Sequence, residues 1–224
     1  MLRFIHTADW QIGMSASGVG AASQSVREAR LESARGIVEL ANQKNADLLL
    51  ITGDVFEDNA VDRLLVRQIG ECLSHFGGKV VITPGNHDPL KPGSVWEHPV
   101  WNEHGHITVI ENAGQVELAD CTLFPCPLKE KYSTQNPVSW IEAKDTTNIA
   151  IGLAHGNVKG LPDTDPDFPI PQNAAETAGL DYLAIGHWHS YSPYEDSSGA
   201  IRMAYSGTHE TTKFGERDSG NALL

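Results

Sequence analysis

Leu48-Leu49-Leu50-Ile51-Thr52-Gly53-Asp54 is an apolar, β-rich run that ends at once in a glycine and an acid. A strand apolar at every position is covered on both faces, which is the mark of a parallel sheet inside an α/β protein. The same pattern recurs along the chain. Leu2–Ile5 precedes Asp9, and Val80–Thr83 precedes Asn86 and His87. Ile149–Ala154 precedes His155, and Tyr182–Ile185 precedes His187 and His189. Each run is followed by a side chain able to bind a metal ion. Residues just past the carboxyl ends of such strands converge on one rim, where α/β proteins place their sites.

Working outward, helical patterns separate the first three runs. Ser25–Asn42 carries Val26, Ala29, Leu31, Ala34, Ile37, Val38 and Leu40, with Arg and Glu on the other face. Val61–Phe76 repeats the pattern with Leu64, Leu65, Ile69 and Leu73. This spacing predicts amphipathic helices, and strand–helix alternation predicts right-handed crossovers onto a parallel core. Met14–Ser23 is rich in Ser, Gly and Ala and is read as a mobile loop. After Pro89, short strands are expected at Ile107–Ile110, Val116–Leu118 and Thr122–Phe124. A hairpin is expected over Tyr191–Tyr205, turning at Ser197-Ser198-Gly199. Pro162, Pro166, Pro169 and Pro171 mark a long loop.

The 224 residues suit a single domain, 1–224. Asn221-Ala222-Leu223-Leu224 reads as a strand cut short, so a further C-terminal segment is expected in the native protein. Acids outnumber Lys plus Arg by 29 to 16, for a formal charge of -13 and a pI near 5.1. That argues against holding nucleic acid by bulk positive charge, since counterion release needs many cations at the phosphates. It leaves open a site whose positive charge is a bound metal. Cys72, Cys121 and Cys126 are too few for a disulfide framework and read as core thiols. With no membrane span and no signal peptide in view, a cytoplasmic protein is expected.

Five motifs stand in order: Asp9-Trp10-Gln11, Gly53-Asp54, Gly85-Asn86-His87-Asp88, His155 and Gly186-His187-Trp188-His189. Each alone has a structural reading as a turn, a cap or a packed side chain. Together, each at a strand end, they resemble the calcineurin-like metallophosphoesterase superfamily, whose pattern runs D-x-H, G-D, G-N-H-D/E, H, G-H-x-H. The match spans residues 9 to 189. HTADWQIG, GDVFEDN, TPGNHDP and GHWH look most like the DNA-repair exonuclease branch, which includes the bacterial SbcD nuclease subunit, as does the later YSGTHETTKFGERDSG.

The resemblance implies a four-layer αββα sandwich: two mixed β-sheets flanked by helices. It also implies a dinuclear site. Asp9, Gln11, Asp54 and His189 would surround one ion; Asp54, Asn86, His155 and His187 would surround the other, with Asp54 bridging. Carboxylate, amide and imidazole donors without thiolate suit Mn²⁺, and Mg²⁺, Fe or Zn less exclusively. Two cations roughly 3.5–4 Å apart can clamp a phosphate diester and stabilise in-line displacement by a bridging water. His87 is the expected general acid for the leaving alkoxide, with a purely phosphate-binding His as the alternative.

Two departures matter. Gln11 stands where the family has His, so the first ion is held weakly, tuned toward Mn²⁺ or Mg²⁺, or not touched by Gln11 at all. Glu57 stands where the nuclease branch carries His and phosphatases carry Asp. It is read either as a partner of His87 that raises its pKa or as a plain loop carboxylate. Of the remaining motifs, Trp96 and Trp101 either stack on a base or pin the Val95–His106 loop. His209 either contacts phosphate or packs.

The expected function is a Mn²⁺-dependent phosphodiesterase, a DNA exonuclease or endonuclease. Expected partners are DNA as substrate, an SbcC-like ATPase that supplies the grip on DNA, and a second copy in a homodimer. One alternative is hydrolysis of a small nucleotide or other phosphoester, favoured by Glu57 and the charge of -13. Another is a degenerate metal-binding interaction module, marked by Gln11.

Overall fold

In the computed structural model, β1 (Phe4–Thr7), β2 (Leu48–Thr52), β3 (Lys79–Thr83) and β4 (Ile107–Val109) form a sheet in that order, every pair parallel. The structure describes residues 1–15, 17–144, 146–160, 167–212 and 215–224, without the side chains of 17–19. A second sheet holds β5 (Val116–Glu117), β6 (Cys121–Pro125), β7 (Ile149–His155), β8 (Tyr182–Gly186), β9 (Ser192–Glu195) and β10 (Ile201–Tyr205). Its order is β5-β6-β7-β8-β10-β9, parallel in the middle and antiparallel at both edges. The second sheet is thus mixed, as expected. The first is parallel in all its strand pairs, and among the described residues an isolated antiparallel bridge joins Leu223 to His6.

Strand alternation sorts the apolar side chains into three cores. Leu49, Ile51, Val80 and Ile82 face α1 (Ser23–Gln43) and α2 (Arg63–Ser74), meeting Ala34, Ile37, Val38, Ala41, Val66, Ile69 and Leu73. Their neighbours Leu48, Leu50 and Val81 point the other way and pack on Leu123, Ile151 and Leu153, gluing sheet to sheet. On the far side Ala150, Ala154, Leu183, Ile185 and Met203 meet α3 (Ala174–Ala178). Helices, sheet, sheet and helix therefore form four layers. Each fully buried Ile or Leu contributes about 1.5–3 kcal/mol of transfer free energy, so a one-residue register slip in β2 would misplace side chains of two cores at once, the one under α1 and α2 and the one between the sheets.

Several expectations are corrected. β1 lies two residues later than the apolar run and carries His6 into the interior. The imidazole is satisfied there by Tyr182 Oη and Thr52 Oγ1, both at 3.0 Å, so a polar residue does not end the strand. The expected mobile loop instead contains a 3-10 helix, Ser17–Ala22, kinked at Gly20, leading into α1. Ala16, Pro162 and Pro166 lie outside the described residues. Trp96 and Trp101 are buried against Phe56, with ring centroids 5.7 and 6.3 Å away. Trp96 Nε1 donates to the Asp88 carbonyl and Trp101 Nε1 to that of Val95. They pin the loop and present no face to a base. The hairpin turns as read, closed by Asp196 N–H on the Ala200 carbonyl at 2.8 Å.

Gly70 in α2 makes a testable exception to helix propensity. An added Cβ would sit 2.4 Å from Val100 Cγ2. Gly to Ala in a helix interior ordinarily gains up to about 1 kcal/mol. Here the clash wins, and Gly70→Ala is expected to lose about 1–3 kcal/mol by overpacking. Chemical denaturation would show it, and the added change Val100→Ala should recover stability.

Candidate metal centre

The carboxyl ends of β1, β2, β3, β7 and β8 meet where the two sheets touch. Asp9, Asp54, Asn86 and His87 follow the three strands of the first sheet. His155 is the last residue of β7, and His187 and His189 follow β8. The junction is a direct bond: His155 Nδ1 lies 2.9 Å from the Thr52 carbonyl oxygen. Since a carbonyl only accepts, Nδ1 carries the proton and Nε2 faces inward. Nε2 lies 3.3 Å from Asp54 Oδ2 and 2.9 Å from Asn86 Oδ1. Asp9, Asp54 and His155 each offer one donor atom, all within 4.8 Å of one another. His187 joins through Nδ1, 3.2 Å from Asn86 Oδ1, and its backbone N–H lies 3.0 Å from both oxygens of Asp9.

The backbone around this cluster is strained. Asp9, Gln11, Asp54 and His187 have φ of 55°, 46°, 52° and 109°, a region that side-chain-bearing residues avoid. Such conformations cost on the order of 1–3 kcal/mol each and persist where the surroundings over-determine them. Here the determinant is a mesh of main-chain bonds. Asp9 N–H donates to the Gly53 carbonyl at 3.1 Å, and Gln11 N–H to that of Asp54 at 2.9 Å.

The charge balance shows what the cluster lacks. Asp9 and Asp54 are both essentially buried, and among the described residues no Lys or Arg pairs with either. Burial pushes the Asp9 carboxyl up, against the pull of His155 and His189. Burial acts on Asp54 too, but the charge and hydrogen bond of His155 hold that carboxyl below the usual range. His155 is raised in return, burial being outweighed by Asp54. Burial and the neighbouring His155 push His187 down to about 3, leaving it a neutral donor of lone pairs. Two buried carboxylates with no Lys or Arg partner among the described residues, ringed by inward-facing nitrogens and an amide oxygen, form a cation's coordination shell. The donors fit divalent metal.

Gln11 is buried beside this cluster, with its main chain fixed by Asp54. His87 stands at the mouth, half-buried. Its backbone N–H donates to Asp54 Oδ1 at 2.9 Å, and Nδ1 donates to the Glu57 carbonyl at 2.9 Å. Glu57 thus meets His87 through its main chain, while of the two readings of its carboxylate, a partner of His87 or a plain loop acid, no hydrogen bond between the carboxylate and His87 is seen among the described residues. The turn at Phe56-Glu57 brings the carbonyl into reach first; Glu57 Oε2 is buried with no partner among the described residues.

Asp88 plays a part the sequence reading did not give it. Its carboxylate accepts from Gly85 N–H at 2.8 Å and Phe56 N–H at 3.0 Å, so it holds the Gly85–His87 turn onto the Asp54 loop. Burial, reinforced by Asp54, pushes its pKa up. His209, a candidate phosphate contact, is instead packed. It is 2% exposed, packed at a tilt against Trp10 with ring centroids 5.2 Å apart, and donates to the Arg30 carbonyl at 3.0 Å. Burial drives it down to about 3, so it carries no charge for an anion. Glu216 and Thr212, 2.9 and 2.8 Å from His189 Nδ1, were missed; their only signal was their presence within YSGTHETTKFGERDSG.

A family model of the calcineurin-like phosphoesterases matches residues 2–191. The chain belongs to the calcineurin-like phosphoesterase family. Among curated relatives of this phosphoesterase, YhaO of Bacillus subtilis (strain 168), described as an uncharacterized metallophosphoesterase, is 25% identical over 200 residues. That match covers 84% of this chain but 48% of YhaO, so the chain spans about half of its relative's length. The phosphoesterase fold is shared with TT1561 of Thermus thermophilus at a TM-score of 0.59 and 14% identity, covering 93% of this chain and 90% of that one. A dimetal phosphatase from Danio rerio overlays at 0.59 and 13% identity, covering 92% and 87%. Among the described residues no helix is long and apolar enough to cross a membrane.

Proposed function

We propose that this phosphoesterase is a divalent-metal-dependent phosphodiesterase acting on DNA, as an exonuclease or endonuclease of the SbcD-like branch. The observation that carries the reading is the convergence on one rim of Asp9, Asp54, Asn86, His155 and His187, with His87 beside them. Asp9, Gln11, Asp54 and His189 would hold one ion, and Asp54, Asn86, His155 and His187 the other. The Danio rerio neighbour, described as a dimetal phosphatase, agrees with two ions. An oxygen- and nitrogen-rich set without thiolate favours Mn²⁺ over Mg²⁺, Fe or Zn. When bound, the ion pair supplies the positive charge that clamps a phosphate diester and lowers the pKa of a water.

The chain's own groups do the rest. The Thr52 and Glu57 carbonyls fix His155 and His87 by their Nδ1 protons, leaving each Nε2 uncommitted to the main chain. His87 Nε2 then delivers a proton to the departing sugar oxygen. The resemblance of HTADWQIG, GDVFEDN, TPGNHDP and GHWH to the nuclease branch supports DNA as substrate. An SbcC-like ATPase would supply the cationic grip that a chain of net charge -13 lacks, and a second copy of the chain in a homodimer is a separate proposed partner. That same charge favours a second reading, a small nucleotide or other phosphoester that needs no extended cationic surface.

The discriminating assay offers Mn²⁺-loaded protein linear DNA, bis-p-nitrophenyl phosphate, a cyclic nucleotide and a nucleotide monophosphate, with Asp54→Asn as control. Cleavage of DNA above the control is expected. Hydrolysis confined to the small substrates moves the assignment to the second reading. No hydrolysis of any of them above the control, with metal bound, sinks both.

A further inference from the structure

Beyond β10 the chain turns back across the metal centre as a strap. Thr208 Oγ1 donates to the Asp9 carbonyl at 2.8 Å, and Thr208 N–H to the His189 carbonyl at 3.2 Å. Arg217 N–H donates to Ser190 Oγ at 2.9 Å. From the other side Arg30 of α1, 2% exposed, grips the strap: Nη2 donates to the carbonyls of Glu210 and Thr211, and Nη1 to that of Trp10 at 2.9 Å. Ser33 Oγ donates to the His209 carbonyl at 2.8 Å.

The strap delivers one carboxylate. Glu216, with its side chain 2% exposed, places Oε1 2.9 Å from His189 Nδ1. Its Oε2 accepts from Thr212 N–H at 2.7 Å, and Thr212 Oγ1 contacts Oε1 and lies 2.8 Å from the same His189 Nδ1, so the strap brings the hydroxyl and the carboxylate to one nitrogen. Among the described residues no Lys or Arg pairs with this buried acid. A carboxylate can only accept, so the imidazole's Nδ1 must carry a proton toward it. Nε2 is then the nitrogen with the free lone pair. Outer carboxylates of this kind set the tautomer and ring orientation of a metal-binding His, and losing one typically costs about 10–100-fold in metal affinity.

We propose that Glu216 is a positioning residue: presented by the Arg30-anchored strap, it locks His189 in the Nδ1–H tautomer and aims Nε2 at the metal centre. The inference rests on the reading of His189 as a metal ligand. Glu216 lies outside residues 2–191, which the family model matches.

Two measurements on the full chain test it. The first is ring-nitrogen NMR of ¹⁵N-histidine-labelled, metal-free protein at alkaline pH. Wild type should show His189 protonated at Nδ1, and Glu216→Ala should move that proton to Nε2. The second is Mn²⁺ calorimetry. Glu216→Ala should weaken one of two ions by about 10–100-fold and leave the other unchanged. Glu216→Gln keeps an acceptor oxygen for Nδ1–H and should restore most of the loss. The inference is overturned if Glu216→Ala keeps the wild-type tautomer or binds both ions at wild-type affinity. It is also overturned if both ions weaken equally alongside a fall in Tm, since that marks a merely structural carboxylate. A wild-type chain that takes up no Mn²⁺ overturns the proposed function and this inference together.

Discussion

On the proposed nuclease reading, changing His87 to Gln is expected to slow DNA hydrolysis by about 10²–10⁴-fold, the usual contribution of a positioned general acid, with Mn²⁺ binding unchanged from wild type. The side chain is tied to the Glu57 carbonyl by Nδ1, and only its backbone N–H reaches Asp54. Gln keeps that backbone donor, so the carboxylate stays where it is. A general acid matters in proportion to the basicity of the leaving group. The sugar alkoxide departing from DNA needs a proton; p-nitrophenolate leaves without one. Single-turnover rates on DNA and on bis-p-nitrophenyl phosphate should therefore diverge, with the nitrophenyl ester losing far less. Equal losses on both substrates, or loss of an ion, would show that His87 binds phosphate or supports the metal site instead.

Gly53→Ala should be strongly damaging, because it combines a left-handed backbone with a filled space. The residue has φ of 87°, and its added Cβ would lie 2.1 Å from His155 Nδ1 and 2.9 Å from Gly85 Cα. The left-handed backbone costs an alanine about 1–2 kcal/mol, and forcing atoms into a filled space about 1–3 more. A total of about 2–5 kcal/mol is a large share of the usual 5–15 kcal/mol of net stability. At about 2–4 °C per kcal/mol for a domain of this size, Tm should fall by roughly 4–20 °C. Gly199 makes the control: φ is 83° and no atom lies within 4 Å of its would-be Cβ. Gly199→Ala should lose only the backbone part. If the two variants melt together, the packing against His155 is not what Gly53 protects.

The strands and the rim were legible because they rest on the shortest-range signals. Leu48–Thr52 is apolar at nearly every position and can be little other than a doubly covered strand, and the residues just past such a strand land at its carboxyl end. Asp9, Asp54, Asn86, His155 and His187 were brought together by that rule alone. Side-chain direction was not legible. Glu57 was read through its carboxylate, while a backbone conformation no local pattern announces turned its carbonyl onto His87. His209 looked like a rim residue by position, but the ring of Trp10 and the carbonyl of Arg30, both far back in the chain, claim it. Glu216 was hidden for the same reason. Its partner His189 is 27 residues distant, across the β9–β10 hairpin, and the Ser-, Thr- and Gly-rich stretch after β10 has no periodicity to read.

The strap also sets an order in time. The bond from Thr208 to Asp9 joins residues 199 positions apart. Ribosomes add about 5–20 residues per second, so roughly 10–40 s separate the synthesis of those two ends. In the last part of that interval Asp9, Asp54 and His155 are all present in the growing chain without the segment that pins β1's end. The metal centre is completed late, once the strap has been made and has closed over it.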